Sequence, residues 1–177
     1  MTGDIERLLA AARALAETTR QPVVVIGGIA RSVWASPRAT LDLDVVYGGE
    51  RLEDVVAASA TIGLLAVPEE VAALSSSCMT RLRLPDQPTG PVRLDVLAAS
   101  HPYHRRMIAR SRELERFGRW LRFACPEDVI LLKLLADRPR DRLDVQAILE
   151  AQGEKLDLEL LRSEAEELEL ELPESLG

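Results

Sequence analysis

Apolar residues recur at helical spacing at Ile5, Leu8, Leu9, Ala12 and Leu15. They predict a helix over about residues 5–19, capped by Asp4 and stopped by Gln21-Pro22. The pattern then changes. Val23-Val24-Val25-Ile26 is a continuous apolar run, β-branched and too short for a helix. It reads as a buried strand, which Gly27-Gly28 turns into a short helix over about residues 29–35. Ser36-Pro37 ends that helix, and residues 41–47 form the next strand. A helix over about 50–62 follows, then strands over 79–84 and 92–98 joined by the turn Pro85-Asp86-Gln87-Pro88-Thr89-Gly90. A helix over 102–109 and a short strand pair around Gly118, within 111–124, come next. Beyond that only helical periodicity remains. Pro126 and Pro139 each open a helix where proline is tolerated, running to about Ala136 and Ala151, and residues 157–170 form the last.

Mixed strands and helices followed by helices alone predict an α/β (α+β) fold, a small mixed sheet flanked by helices with a C-terminal helical extension. Residues 1–124 are expected to form the core and 125–177 the helical part packed on it, as one compact unit. With 177 residues the chain buries a sizeable core but has no room for two full-size domains. Aromatics make up only 3% of it, so the core is built from Leu, Val, Ile and Ala, and platforms for stacking bases are scarce.

Charge narrows the function classes. A net charge of −7 argues against an extended nucleic-acid groove, which needs a basic surface. The charge is polarised along the chain. Arg105, Arg106, Arg110, Arg112, Arg116, Arg119 and Arg122 crowd one stretch, whereas the segment from Glu150 to Gly177 holds many acids against Lys155 and Arg162. The arginine stretch is read as solvated helix and strand surface or, alternatively, as a contact for acceptor phosphates. The acidic tail carries Leu158, Leu161, Ala165, Leu168 and Leu172 at near-helical spacing, as a helix packed on the domain would. Cys78 and Cys125 make no disulfide framework, and no apolar run is long enough for a signal segment or membrane span. The expectation is a cytoplasmic protein that meets no membrane.

The chemistry concentrates in two predicted strands. In Asp42-Leu43-Asp44-Val45 the acids are two apart, so they share one face about 7 Å apart along the strand while Leu43 and Val45 point into the core. A third acid, Asp95, sits in Arg93-Leu94-Asp95-Val96-Leu97. On a neighbouring strand it would join the pair, and three converging carboxylates need compensating cations, for which Mg²⁺ is the natural choice. Two solvated acids on an edge strand are the competing reading. The apolar flanks Leu41, Leu43, Val45 and Val46 weigh against it. Gly27-Gly28, between a strand and a helix, lets backbone N–H groups approach a phosphate at a helix N-terminus. No Gly-Lys-Ser/Thr follows, so this is not a P-loop. His101 and His104 lack an evident third ligand and read as loop and helix-start residues.

Together these features resemble the polymerase-β-type nucleotidyltransferase superfamily, whose motif runs Gly-Gly or Gly-Ser, a helix, an Asp-x-Asp strand and a later third Asp. Gly27, Gly28, Asp42, Asp44 and Asp95 match it. More narrowly, the approach Arg38-Ala39-Thr40-Leu41-Asp42-Leu43-Asp44 and the late Lys133 with Arg138-Pro139-Arg140-Asp141-Arg142-Leu143-Asp144 look like the AbiEii-type toxin branch, over roughly residues 20–150. The resemblance implies a sheet of the nucleotidyltransferase type and Mg-dependent transfer of a nucleoside monophosphate from a nucleoside triphosphate to a hydroxyl acceptor. Two Mg²⁺ ions would be held by Asp42, Asp44 and Asp95. It also implies that Lys133 binds the triphosphate and that Arg138, Arg140, Asp141 and Asp144 face the acceptor or support the site. Many members carry a hydroxyl just after the glycines; here Ile29-Ala30 stands there, and Arg31, Ser32 or backbone would grip phosphate instead.

The implied acceptor is a transfer RNA end or a protein, and the implied setting is a toxin with a cognate antitoxin. Two rivals stand beside this reading: a non-catalytic nucleotide- or partner-binding module on the same fold, and a nucleotidyltransferase acting on a small molecule such as an antibiotic.

Overall fold

The structure is a computed structural model describing residues 2–74, 77–116 and 118–173. Helix α1 (Thr2–Thr19) leads into β1 (Val23–Ile26), α2 (Gly27–Trp34) and β2 (Asp42–Tyr47). Then come α3 (Leu52–Ala58), β3 (Leu65–Ala66), α4 (Pro68–Leu74), β4 (Met79–Arg83) and β5 (Arg93–Ala98). Helix α5 (Pro102–Arg110) precedes the hairpin β6 (Arg112–Arg116) and β7 (Arg119–Phe123), and α6 (Pro126–Ala136), α7 (Pro139–Gln152) and α8 (Leu158–Glu167) close the chain.

The strands form one mixed sheet in the order β3-β4-β5-β2-β1-β7-β6. Strand β2 is parallel to β5 and β1 is parallel to β7, while the other neighbours run antiparallel. The α/β class and the mixed sheet flanked by helices are as the sequence pattern predicts. Central strands are the apolar ones because both their faces are covered: Val24, Leu43, Val45, Leu94 and Val96 are fully buried. Helix α1 lays Leu8, Leu9 and Leu15, fully buried, on this sheet. Helix α2 packs against β2, α6 and α7, so the C-terminal helices reach the acid-bearing strand through it.

The polarised charge finds its own complement. Arg106 donates to Glu164 and Glu167. Arg110 bonds Asp128 and Glu164, and Asp128, fully buried, also accepts from Tyr103 and from the Cys125 thiol. These bonds tie α5 to α6 and α8, so Arg106 and Arg110 hold the fold together. Burial beside Asp128 pushes the Tyr103 hydroxyl well above its ordinary range. His101 caps α5, its ring nitrogen accepting from the Tyr103 amide, which is the helix-start role expected of it.

Boundaries differ where the backbone departs from the apolar rhythm. Helix α1 starts at Thr2, placing Asp4 in the first turn instead of at the cap, where its charge still suits the helix dipole. Helix α3 stops at Ala58, although Ile62 and Leu64 continue the buried pattern. Ser59 bonds back to the Val56 carbonyl, and the chain unwinds into turns through Gly63 at φ +75°. Strand β3 and helix α4 leave no periodic signal in the sequence because one has two residues and the other buries none. Helix α8 ends at Glu167, short of residue 170, although Leu168 and Leu170 still pack on the core.

Candidate active site

The register of the central strands brings the three predicted acids together. Asp44 and Asp95 are direct partners across the parallel β2–β5 pair, and Asp42 is partnered with Arg93. Period two then places Asp42, Asp44, Asp95 and Arg93 on one face. Arg81, opposite Asp95 on β4, extends the row. On the other flank Ile26 pairs with Asp44. The next residue, Gly27, opens α2 directly from the strand at φ +62°, a left-handed backbone that glycine adopts without strain. A side chain there would collide with the Asp44 carboxylate. Above these residues lies a cleft of about 670 Å³, large enough for a nucleotide-sized ligand.

The carboxylates differ in environment. Asp95 is buried and has both oxygens engaged: Arg81 donates to them at 2.6 and 3.1 Å, and Arg93 Nε adds a contact at 2.9 Å. Arg93 also reaches Asp42 at 3.1 Å, and the Thr40 hydroxyl donates to the same side chain. No hydrogen bond or ion pair holds Asp44 among the described residues. Burial, followed by the neighbouring charges of Asp42 and Asp95, pushes its carboxyl up to about 6.

A divalent cation suits this chemistry in part. Hard carboxylate oxygens and an unpartnered acid beside a second one match what Mg²⁺ prefers. In the arrangement seen, the arginines occupy Asp95 and one side of Asp42. No group of three or more His, Cys, Asp or Glu side chains converges on a metal position among the described residues. Asp42 and Asp44 are thus the acids that fit a cation, while Asp95 answers first to Arg81 and Arg93.

Helices α6 and α7 supply the opposite wall. Lys133, buried, contacts Asp141 at 2.7 Å and Asp144 at 2.9 Å. Asp144 in turn takes both arms of the Arg38 guanidinium, at 3.0 and 2.9 Å, and contacts Arg31 at 3.1 Å. Burial works against the charge of Asp144, but bonds from Arg38 and Lys133 hold its carboxyl below the ordinary range; Arg138 and Lys133 do the same for Asp141. Gly27, Gly28, Asp42, Asp44, Asp95, Lys133, Arg138, Arg140 and Asp141 all line the cleft.

Arg31, Ser32 and Asp144 do not. Arg31 is buried toward Asp144 and the Ser36 carbonyl, and Ser32 donates back to the Gly28 carbonyl as a mid-helix hydroxyl does. Neither is presented to a phosphate in the cleft. Sequence reasoning missed Arg93, Arg81, Arg38 and Thr40. Arg93 stands two positions before Asp95, which on a strand means the same face, and was legible on that ground; Arg81 needed the β4–β5 register.

A mixed sheet of this order, flanked by helices, is a fold of the nucleotidyltransferase type. The chain belongs to the family described as nucleotidyltransferase of unknown function (DUF6036), whose profile matches residues 4–174. The AbiEii-type branch is a finer reading that this description does not name. No curated protein matches the chain in sequence. Among solved structures it is similar to the antibiotic-resistance factor ANT(2'')-Ia, with 19% identity, coverage of 96% of this chain and 97% of that one, and a TM-score of 0.64. It is also similar to the lincosamide antibiotic adenylyltransferase LnuA with lincomycin bound, with 13% identity, coverage of 76% and 89%, and a TM-score of 0.50. A nucleotidyltransferase-like protein from Paracoccidioides brasiliensis matches at 15% identity, covering 92% and 88%, with a TM-score of 0.50. At these identities the likeness establishes a shared fold.

Proposed function

We propose that this chain transfers a nucleoside monophosphate from a nucleoside triphosphate to a hydroxyl acceptor, releasing pyrophosphate. The observation that carries this reading is Asp44, an unpartnered carboxylate beside Asp42 and Asp95 at the glycine turn. A site without cation chemistry has no use for acids that raise one another's proton affinity.

Asp42 and Asp44 would hold the divalent cations, two Mg²⁺ ions in this reading, with Asp95 beside them as the third acid. When bound, the cations supply charge neutralisation on the phosphates and on the entering and leaving oxygens. The protein's own part is positioning. Gly27 keeps the wall beside Asp44, and Gly28 the wall beside Thr40, free of side chains at the start of α2, where backbone N–H groups would face a phosphate. Lys133, fixed between Asp141 and Asp144, places a positive charge on the cleft wall for the triphosphate. Arg138 and Arg140 flank the mouth, where the acceptor enters. The acceptor hydroxyl attacks the α-phosphorus, its proton passes to a nearby base or to water, and the bond to the pyrophosphate oxygen breaks.

Acceptor classes in contention are a transfer RNA end, a protein side chain and a small antibiotic. For the last, a structural neighbour offers a comparison: ANT(2'')-Ia has been seen in complex with adenylyl-2''-tobramycin. A toxin role with a cognate antitoxin would go with the RNA or protein acceptors. The test is incubation of the native protein and Asp44→Asn with each labelled triphosphate, Mg²⁺ and cell extract. Label entering RNA, protein or small solutes only with the native protein supports transfer. No label in any fraction would favour a binding module.

A further inference from the structure

The cleft is basic in a chain that is acidic. Arg38, Arg81, Arg93, Lys133, Arg138 and Arg140 line it against Asp42, Asp44, Asp95 and Asp141, in a protein whose net charge is −7. Asp42 and Asp95 are already matched by Arg93 and Arg81 before any cation or ligand arrives.

At the mouth part of this charge is unspent. Arg138 donates to Asp141 at 2.6 Å but keeps its side chain 71% exposed, and Arg140, one residue past Pro139 at the start of α7, makes no hydrogen bond or ion pair among the described residues. A nucleoside triphosphate accompanied by two divalent cations is close to neutral, so these guanidinium groups exceed what the donor requires. From this charge balance we infer that the acceptor presents its hydroxyl next to a phosphate and that Arg138 and Arg140 receive that phosphate. The inference rests on the nucleotidyl-transfer reading above.

Guanidinium matches phosphate through paired N–H donors, and Arg138 and Arg140, on either side of Pro139, line the same cleft as the acid pair. The same charges oppose a polyamino acceptor, which would meet arginine on the β4–β5 rim and again on α7. No aromatic side chain lines the cleft among the described residues, so the acceptor is held by phosphate and hydroxyl, without a stacked base. Two sources carry this chemistry: the 3′ end of an RNA and a free sugar phosphate or mononucleotide.

The test offers the full chain, with Mg²⁺ and each labelled triphosphate, a short oligoribonucleotide with a free 3′ hydroxyl, a nucleoside 5′-monophosphate, tobramycin and lincomycin, while triphosphate binding is measured separately without acceptor. Label on the oligoribonucleotide or the mononucleotide is expected and identifies the source. Arg140→Glu should then raise the KM for that acceptor about tenfold, with Arg140→Lys restoring most of it and salt weakening it in the native protein. Label on tobramycin or lincomycin alone, or on no acceptor while the triphosphate still binds, overturns the acceptor class and leaves the donor site standing. Absence of triphosphate binding in Mg²⁺ overturns the nucleotidyl-transfer reading and this inference with it. Arg140 is exposed, so an unchanged melting temperature separates these outcomes from misfolding.

Discussion

The α-carbon of Gly27 lies against the carboxylate of Asp44: a Cβ added there would stand 2.0 Å from Asp44 Oδ2. The same glycine holds φ +62°. Gly27→Ala therefore meets two penalties, about 1–2 kcal/mol for the left-handed backbone and displacement of the acid itself. Transfer activity should be lost and the melting temperature should fall, both read on one purified variant. Native-like activity in Gly27→Ala would mean that Asp44 is free to stand elsewhere.

Asp44 is also a stability liability. Its carboxyl rises from 3.8 when free to about 6 in the fold, so the folded state holds the proton more tightly than the unfolded one. The associated stability is fully present below pH 3.8 and is lost as pH rises through about 6. At pH 7 without divalent cations, Asp44→Asn should be more stable than the native chain, by on the order of 3 kcal/mol, while being inactive. Denaturant midpoints at pH 5 and pH 7 check this: the native protein loses ground across the interval and the variant does not.

The same proton competes with a cation. Mg²⁺-dependent stabilisation of the native protein should fade as pH drops below about 6, the value at which Asp44 takes up its proton. The melting-temperature gain on adding Mg²⁺, followed from pH 8 to pH 5, reads this directly.

Arg93 bridges Asp42 and Asp95 and offsets part of their mutual repulsion. Arg93→Ala should lower the melting temperature without divalent cations and enlarge the gain on adding Mn²⁺ or Mg²⁺, because the cation then relieves more repulsion. Mn²⁺ titration followed by electron paramagnetic resonance provides a second readout.

Asp144 balances Lys133, Arg38 and Arg31 inside the helical wall. Its removal deprives Arg38 and Arg31 of their carboxylate and leaves Lys133 to Asp141 alone, so Asp144→Ala should cost about 3–5 kcal/mol, measured by urea unfolding. Loss of activity in this variant would follow from the loss of the wall.

How much of this was legible beforehand depended on the kind of signal. Val23–Ile26 and Asp42–Val46 declare themselves because a short β-branched run and an acid pair in an apolar strand each have few competing explanations. The meeting of Asp44 with Asp95 is conditional in the sequence, which does not say that β2 and β5 are neighbours; the parallel register supplies it. What escaped was pairing at long range. Arg81 reaches Asp95 only through the β4–β5 register, and Arg38 meets Asp144 from the far side of the chain. Within the arginine stretch at 105–122, Arg106 and Arg110 read as surface or as an acceptor contact because their partner Glu164 comes much later in sequence. Lys133 was found through resemblance, and its burial between two carboxylates appears only in three dimensions.

The most direct measurement is pyrophosphate release from each nucleoside triphosphate, with cell extract supplying the acceptor, in Mg²⁺ and in chelator, for the native protein, Asp42→Asn and Asp44→Asn. Release should require Mg²⁺ and fall by at least about a hundredfold in each variant, with both variants folded. Undiminished release in Asp44→Asn, or release in chelator equal to that in Mg²⁺, would contradict a cation-dependent transfer site built on these acids.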